Sequence, residues 1–199
     1  SRGLGDVYKR QGYTNAGKST LFNKLTNEEV LCENMLFATL DPTVRVSVLR
    51  NGRSIIVSDT VGFISDLPTE LIAAFRSTLE EVLSSDLILH VRDISHPNTE
   101  SHSEDVFDIL QKIGLESKIP ILEVWNKIDL LPENQKLQQS NVTLSNRNIY
   151  PICASSGVGL ENLKTGMLDI ILANSNVDAR TVSVRAVSYT HLTLPTNRE

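Results

Sequence analysis

Residues 12–19 read GYTNAGKS, an intact GxxxxGKS string, and no other stretch of the chain constrains the architecture as tightly. Gly12 and Gly17 allow successive backbone N–H groups to turn onto one concave surface, and a helix following directly adds the positive end of its dipole. Such a loop grips phosphate oxygens when it is set between a strand and a helix. The loop residues are therefore Gly12, Tyr13, Thr14, Asn15, Ala16, Gly17, Lys18, Ser19 and Thr20. Lys18 is placed to reach β- and γ-phosphates and Ser19 to offer its hydroxyl to Mg²⁺. Standing alone, the pattern could also be a glycine-containing loop before a helix that turns Leu21, Phe22 and Leu25 inward.

The chain beyond the loop alternates strand-like and helix-like segments up to about residue 172. Residues 44–49 and 54–57 flank Asn51-Gly52 and read as a hairpin closed by a type I′ turn. Leu71, Phe75, Leu79, Val82 and Leu83 recur at helical spacing behind Pro68. Residues 87–91 and 121–125 are apolar runs of buried-strand length. Val106, Ile109, Leu110 and Ile113 mark a helix between them that ends near Gly114. Residues 149–152 form a short last strand, and Leu160, Leu163, Met167, Ile170 and Ile171 a last helix. This order predicts an α/β fold with a mainly parallel central sheet, one antiparallel hairpin strand and helices on both faces.

A second motif, Asn126-Lys127-Ile128-Asp129, follows the strand at 121–125 and carries the base preference. The Asp129 carboxylate can accept from both the ring N–H and the exocyclic amine of guanine, a donor pair adenine lacks. Asn126 can contact N7, and the Lys127 stem can cover the ring face. Cys153-Ala154-Ser155, after the last strand, can present a backbone N–H to the guanine carbonyl. Mismatching such an edge leaves buried polar groups unpaired, at about 1–3 kcal/mol each. The ligand expected is GTP or GDP.

Two loops between these motifs suit a γ-phosphate sensor. Asp59-Thr60-Val61-Gly62 follows a strand, where Asp59 can hold Mg²⁺ through water and the Gly62 amide can bond the γ-phosphate. Leu36-Phe37-Ala38-Thr39-Leu40-Asp41-Pro42-Thr43 offers a threonine hydroxyl to the same metal. Thr39 is the choice and Thr43 the rival, since Thr43 reads equally as the lead-in to a strand. The catalytic set is thus Lys18, Thr39 and Gly62, with Phe37, Ala38, Leu40, Asp41, Thr60 and Val61 lining the ligand. Ser19, Thr39 and Asp59 form the metal set. Phe63 stands where a glutamine would orient the attacking water, and a phenyl ring cannot, so slow intrinsic hydrolysis is expected. Asn15 either orients a K⁺ ion at the β–γ bridge or stabilises the turn.

The bulk composition narrows the setting. Among 199 residues, 40% are hydrophobic and 22% charged, as in a folded globular protein. A net charge of −5 argues against a face built to neutralise DNA phosphates. Cys32 and Cys153 lie far apart and form no CxxC pair, which fits a reducing cytoplasm. No apolar run reaches the roughly 18–20 residues of a membrane span. A monomer free of membrane is expected. His90 reads as a packed core histidine.

The ends differ from the middle. Residues 1–11 and 176–199 do not continue the alternation, which sets the nucleotide-binding domain at 12–175 between two foreign segments. Val7-Tyr8-Lys9-Arg10-Gln11 occupies the slot of the strand that should lead into the phosphate loop. In a sheet covered on both faces, Lys9 and Arg10 would point into opposite helical layers, at an effective cost of several kcal/mol per unpaired ion.

The strings GYTNAGKSTLFNKLT, LFATLDPT, DTVGFISDLP and LIAAFRSTLEEV, with NKID and CASSGVGL, resemble the G domain of the HflX family, translation-associated GTPases with a P-loop NTPase fold akin to the Era and Obg groups. The resemblance covers about residues 12–172. It implies Mg²⁺-dependent GTP hydrolysis coupled to the large ribosomal subunit, with ribosome splitting or rescue, in a cytoplasmic setting. The alternatives are a nucleotide-regulated ribosome-binding module with negligible intrinsic turnover, or a truncated G domain with impaired nucleotide binding. The resemblance does not extend to the family's N-terminal domain, and the chain departs from the family pattern in the strand before the loop and in Cys153 where a serine is usual.

Overall fold

The computed structural model describes residues 16–26, 43–49, 52–59, 82–112, 114, 119–136, 146–173 and 182–188. Helix α1 (Lys18–Thr26) starts inside the GKS string. Strands β1 (Thr43–Val48) and β2 (Ser54–Asp59) form the hairpin, β3 (Leu87–Asp93) and β4 (Ile121–Asn126) flank helix α2 (Thr99–Lys112), and β5 (Ile149–Pro151) precedes helix α3 (Leu160–Ala173). A last strand, β6 (Val182–Ser188), closes the described chain. The sheet runs β1-β2-β6-β3-β4-β5, with β1 antiparallel to β2 and every other neighbour parallel.

Three layers result, as the alternation predicts. On one face Leu21, Phe22 and Leu25 of α1 and Leu160, Leu163, Met167 and Ile171 of α3 pack on Ile55, Val57, Leu89, Leu122 and Val124. On the other, Val106 and Leu110 of α2 meet Ile88 and Val187. Strand β3 is buried on both faces, from Leu87 to Arg92, because helices cover both sides of it.

Two features differ from expectation. The hairpin closes by three residues rather than two: the Leu49 N–H donates to Arg53 O and the Gly52 N–H to Leu49 O, both at 2.9 Å. Gly52, with φ of 78°, takes the left-handed position that ends such a loop, a role glycine fills without Cβ strain. The second difference is larger. Residues 182–188, assigned by sequence to a tail outside the domain, form a strand at the heart of the sheet, parallel to β2 on one side and β3 on the other. Alternation within VSVRAVS explains it: Val182, Val184 and Ala186 enter the α1/α3 core, and Val187 enters the α2 core. The strand expected at 7–11, and the helix behind Pro68 up to residue 81, lie outside the described residues.

All parallel strands end on the same edge, where β2, β3 and β4 deliver Asp59, Asp93 and Asn126. Open α/β sheets bind ligands at this edge.

Candidate nucleotide-binding site

Asn126, the last residue of β4, is 2% exposed and ties three segments together. Its Nδ2 donates to the Ala16 carbonyl of the phosphate loop at 2.8 Å. Its Oδ1 accepts the Ala154 N–H at 2.9 Å. A carboxamide has two N–H donors, and among the described residues one bond from Nδ2 is made. Sequence reasoning assigns Asn126 to the purine; the structure adds that it fastens Ala16, just before α1, to Ala154, after β5.

Gly17 shows how closely these parts meet. Its φ is 82°, and a Cβ there would collide with the Asn126 amide nitrogen. Both the left-handed backbone and the close approach require glycine. Beyond it Lys18 opens α1 at 5% exposure, and Ser19 and Thr20 follow in the first turn. The Leu21 N–H donates to Gly17 O at 2.9 Å, so the helix begins directly from the loop.

On the base side the chain leaves β4 through Lys127 in a left-handed conformation (φ 65°, ψ 36°) and enters a single 3₁₀ turn, Ile128–Leu130, which presents an exposed Asp129. Two backbone bonds dock this turn on the end of β5: Ile152 N–H to Trp125 O at 2.8 Å and Ile128 N–H to Ile152 O at 3.3 Å. Among the three amides of Cys153-Ala154-Ser155, Cys153 donates to Val158 O and Ala154 to Asn126. Among the described residues nothing engages the Ser155 N–H. Cys153 is buried, with Sγ 3.1 Å from Ser155 Oγ.

A charged network that sequence reasoning missed borders the site on the α2 side. Arg92 bonds Glu123 at 2.8 Å, Glu100 at 2.7 Å and the Thr99 carbonyl at 3.3 Å, with its guanidinium over Trp125. Trp125 Nε1 also donates to Glu123 at 3.0 Å. Burial raises the Glu123 pKa, but the bonds from Trp125 and Arg92 outweigh it and leave the carboxyl below its usual value. His90 sits edge-on to Phe107, 5.2 Å away, as the packed core histidine expected. Burial lowers its pKa to about 4, against the pull of Glu123 and with a smaller push from Arg92. The clue in the sequence was the period-2 placement of His90, Arg92, Glu123 and Trp125 within otherwise apolar strands.

Thus Ala16–Ser19, Asn126–Asp129 and Cys153–Ser155 are gathered along the strand ends, linked through Asn126. Asp59 ends β2 on the same edge, and only its backbone is described. Residues 12–15, 37–41 and 60–63, which hold the remaining loop, sensor and Phe63 assignments, lie outside the described residues.

Comparison with known proteins agrees with this arrangement. The family model described as "50S ribosome-binding GTPase" matches residues 11–127. GTPase HflX of Magnetococcus marinus is 49% identical over 152 residues, covering 76% of this chain and 34% of that protein. GTPase HflX of Chlamydia pneumoniae is 44% identical over 168 residues, covering 82% of this chain and 34% of its own length. The chain therefore spans about a third of the curated relatives it matches. Among solved structures, the complex of SsGBP with GDP superposes with a TM-score of 0.60 at 32% identity, over 80% of this chain and 47% of that one. A family model covering more than half of the sequence, on a sheet and loop built this way, places the chain in the 50S ribosome-binding GTPase family, where its G-domain region is of the HflX type.

Proposed function

We propose that this chain is a GTP-binding and GTP-hydrolysing switch domain whose whole protein works on the large ribosomal subunit. The observation supporting the proposal is the pair of hydrogen bonds made by the Asn126 side chain, which ties Ala16, next to Gly17 and Lys18, to Ala154 of the Cys153–Ser155 loop. In this reading Asp129 reads the guanine edge, the Lys127 stem covers the ring, and the Ser155 N–H, unengaged among the described residues, donates to the guanine carbonyl. Lys18 and the Gly62 amide draw charge off the transferring γ-phosphoryl group. With little covalent chemistry for the protein to perform, positioning and electrostatics supply the rate.

The donor set also suits a hard cation. The Ser19 hydroxyl lies in the first turn of α1, and α1 packs on β2, whose last residue is Asp59. Ser19 and Thr39 would hold Mg²⁺ and Asp59 would order its waters, an all-oxygen set of the kind Mg²⁺ prefers. Bound there, Mg²⁺ would neutralise charge on the β- and γ-phosphates. Asn15 is the candidate to orient K⁺ nearby. A cytoplasmic monomer is proposed; among the described residues no helix is long and apolar enough to cross a membrane.

Multiple-turnover GTP hydrolysis, measured with and without large ribosomal subunits and in potassium and then sodium, tests this reading. Slow hydrolysis accelerated by the subunits supports it. A folded chain that hydrolyses no GTP under any of these conditions refutes it.

A further inference from the structure

We propose that Asp93 is a positioning residue for the base pocket, holding Lys127 in place before a nucleotide arrives. The proposal rests on the guanine-site reading above. Asp93 closes β3, next to β4, and its Cα partner in the sheet is Asn126. Its Oδ2 accepts from Lys127 Nζ at 2.6 Å, and its side chain is 8% exposed while that of Lys127 is 29% exposed. The other oxygen is occupied as well: Oδ1 accepts the Ser95 N–H at 3.0 Å and the Ser95 hydroxyl at 2.6 Å. One carboxylate is thus fixed by the turn after β3 and offers its remaining oxygen to the lysine.

Lys127 needs such a hold. It is the one non-glycine residue with positive φ among the described residues, at the point where the chain turns from β4 into the Asp129 turn. A lysine at the rim of a cleft would otherwise spread over many rotamers, and ordering it would weaken binding. Tying the ammonium to an anchored carboxylate removes that freedom in advance and directs the aliphatic stem along the end of the sheet. The strand ends are joined by backbone too, since the Ile94 N–H donates to Asn126 O at 3.2 Å. Asp93 therefore acts on the purine through Lys127, a partly shielded charge-assisted bond of the stronger kind.

A double-mutant cycle on the chain tests this, using GDP as the probe in calorimetric titration with Asp93→Asn, Lys127→Met and the double variant. Asparagine keeps an oxygen for Ser95 and loses the ion pair, so the melting temperature without ligand should fall by only a few degrees and the chain should remain folded. GDP affinity of Asp93→Asn should fall about three- to tenfold, the cost of ordering one lysine side chain only on binding. The double variant should bind no more weakly than Lys127→Met, and Asp93→Glu should recover part of the loss. If the wild type binds GDP and Asp93→Asn binds it equally well, or if the two losses multiply, this inference is overturned while the guanine site stands. If the wild type binds no GDP, both fall.

Discussion

Asn126 and Ala16 lie 110 positions apart, yet a 2.8 Å hydrogen bond joins the carboxamide of one to the carbonyl of the other. The same side chain receives the Ala154 amide, so a single residue fixes the distance between Ala16 and the Cys153–Ser155 loop, the proposed phosphate and base sides of the site. Asn126→Ala would leave two buried backbone groups unpaired, at about 1–3 kcal/mol each. The expected outcome is at least a tenfold loss of GDP affinity in calorimetric titration, together with a lower melting temperature.

Gly17→Ala should be harsher on binding. The new methyl meets the Asn126 amide and the backbone must hold a left-handed conformation that alanine disfavours. Loss of measurable GDP binding is expected, from a chain whose circular dichroism spectrum still reports the α/β fold.

Asp129→Asn exchanges an acceptor for a donor at the position proposed to meet the purine edge. Guanine presents two donors there, whereas xanthine presents a carbonyl in place of the amine. Competition titrations should show preference moving from GDP to XDP, by an order of magnitude or more.

Strand β6 should prove indispensable to the fold. Val184 is wholly buried between β2 and β3, so Val184→Asp forces an unpaired carboxylate into the core at several kcal/mol. That is a large part of a typical domain's stability, and urea denaturation should find the variant largely unfolded. Val46→Thr, at a position 59% exposed on β1, is the control and should shift stability by less than about 0.5 kcal/mol.

Acid stability follows from His90. With its pKa lowered to about 4 by burial, the folded state binds fewer protons than the unfolded chain between that value and 6.5. Stability therefore rises with pH across this window and is lost as pH falls through it. The buried shift corresponds to a few kcal/mol in order of magnitude. The lowered pKa of Glu123 extends the loss below its usual 4.5. Denaturation midpoints taken from pH 7 to pH 4 should fall steadily, and His90→Leu should flatten the slope between pH 6.5 and pH 4.5.

Much of this was legible because local pattern and global fold agree. Leu21, Phe22 and Leu25 reveal the buried face of α1 by spacing alone, and the apolar runs at 87–91 and 121–125 could be little other than covered strands. The strand at 182–188 was hidden because its partners come from residues 54–59 and 87–91, far away in sequence, and pairing leaves no local trace. Three-residue closure at Gly52 and two-residue closure share the same Asn-Gly signature. Asn126 and Lys127 were assigned to the ligand, and their ties to Ala16, Ala154 and Asp93 depend on where strand ends meet in space. Asp93 with Ser95 two residues later reads as an ordinary polar turn until Lys127 is placed beside it.

Titration of the wild-type chain with GDP and, in parallel, with ADP bears most directly on the claim that one cleft both grips phosphates and reads guanine. GDP should bind saturably and at least about a hundredfold more tightly than ADP, since adenine would leave the Asp129 carboxylate and its neighbours unpaired. Equal affinity for the two nucleotides, or no binding by a folded sample, would contradict that claim.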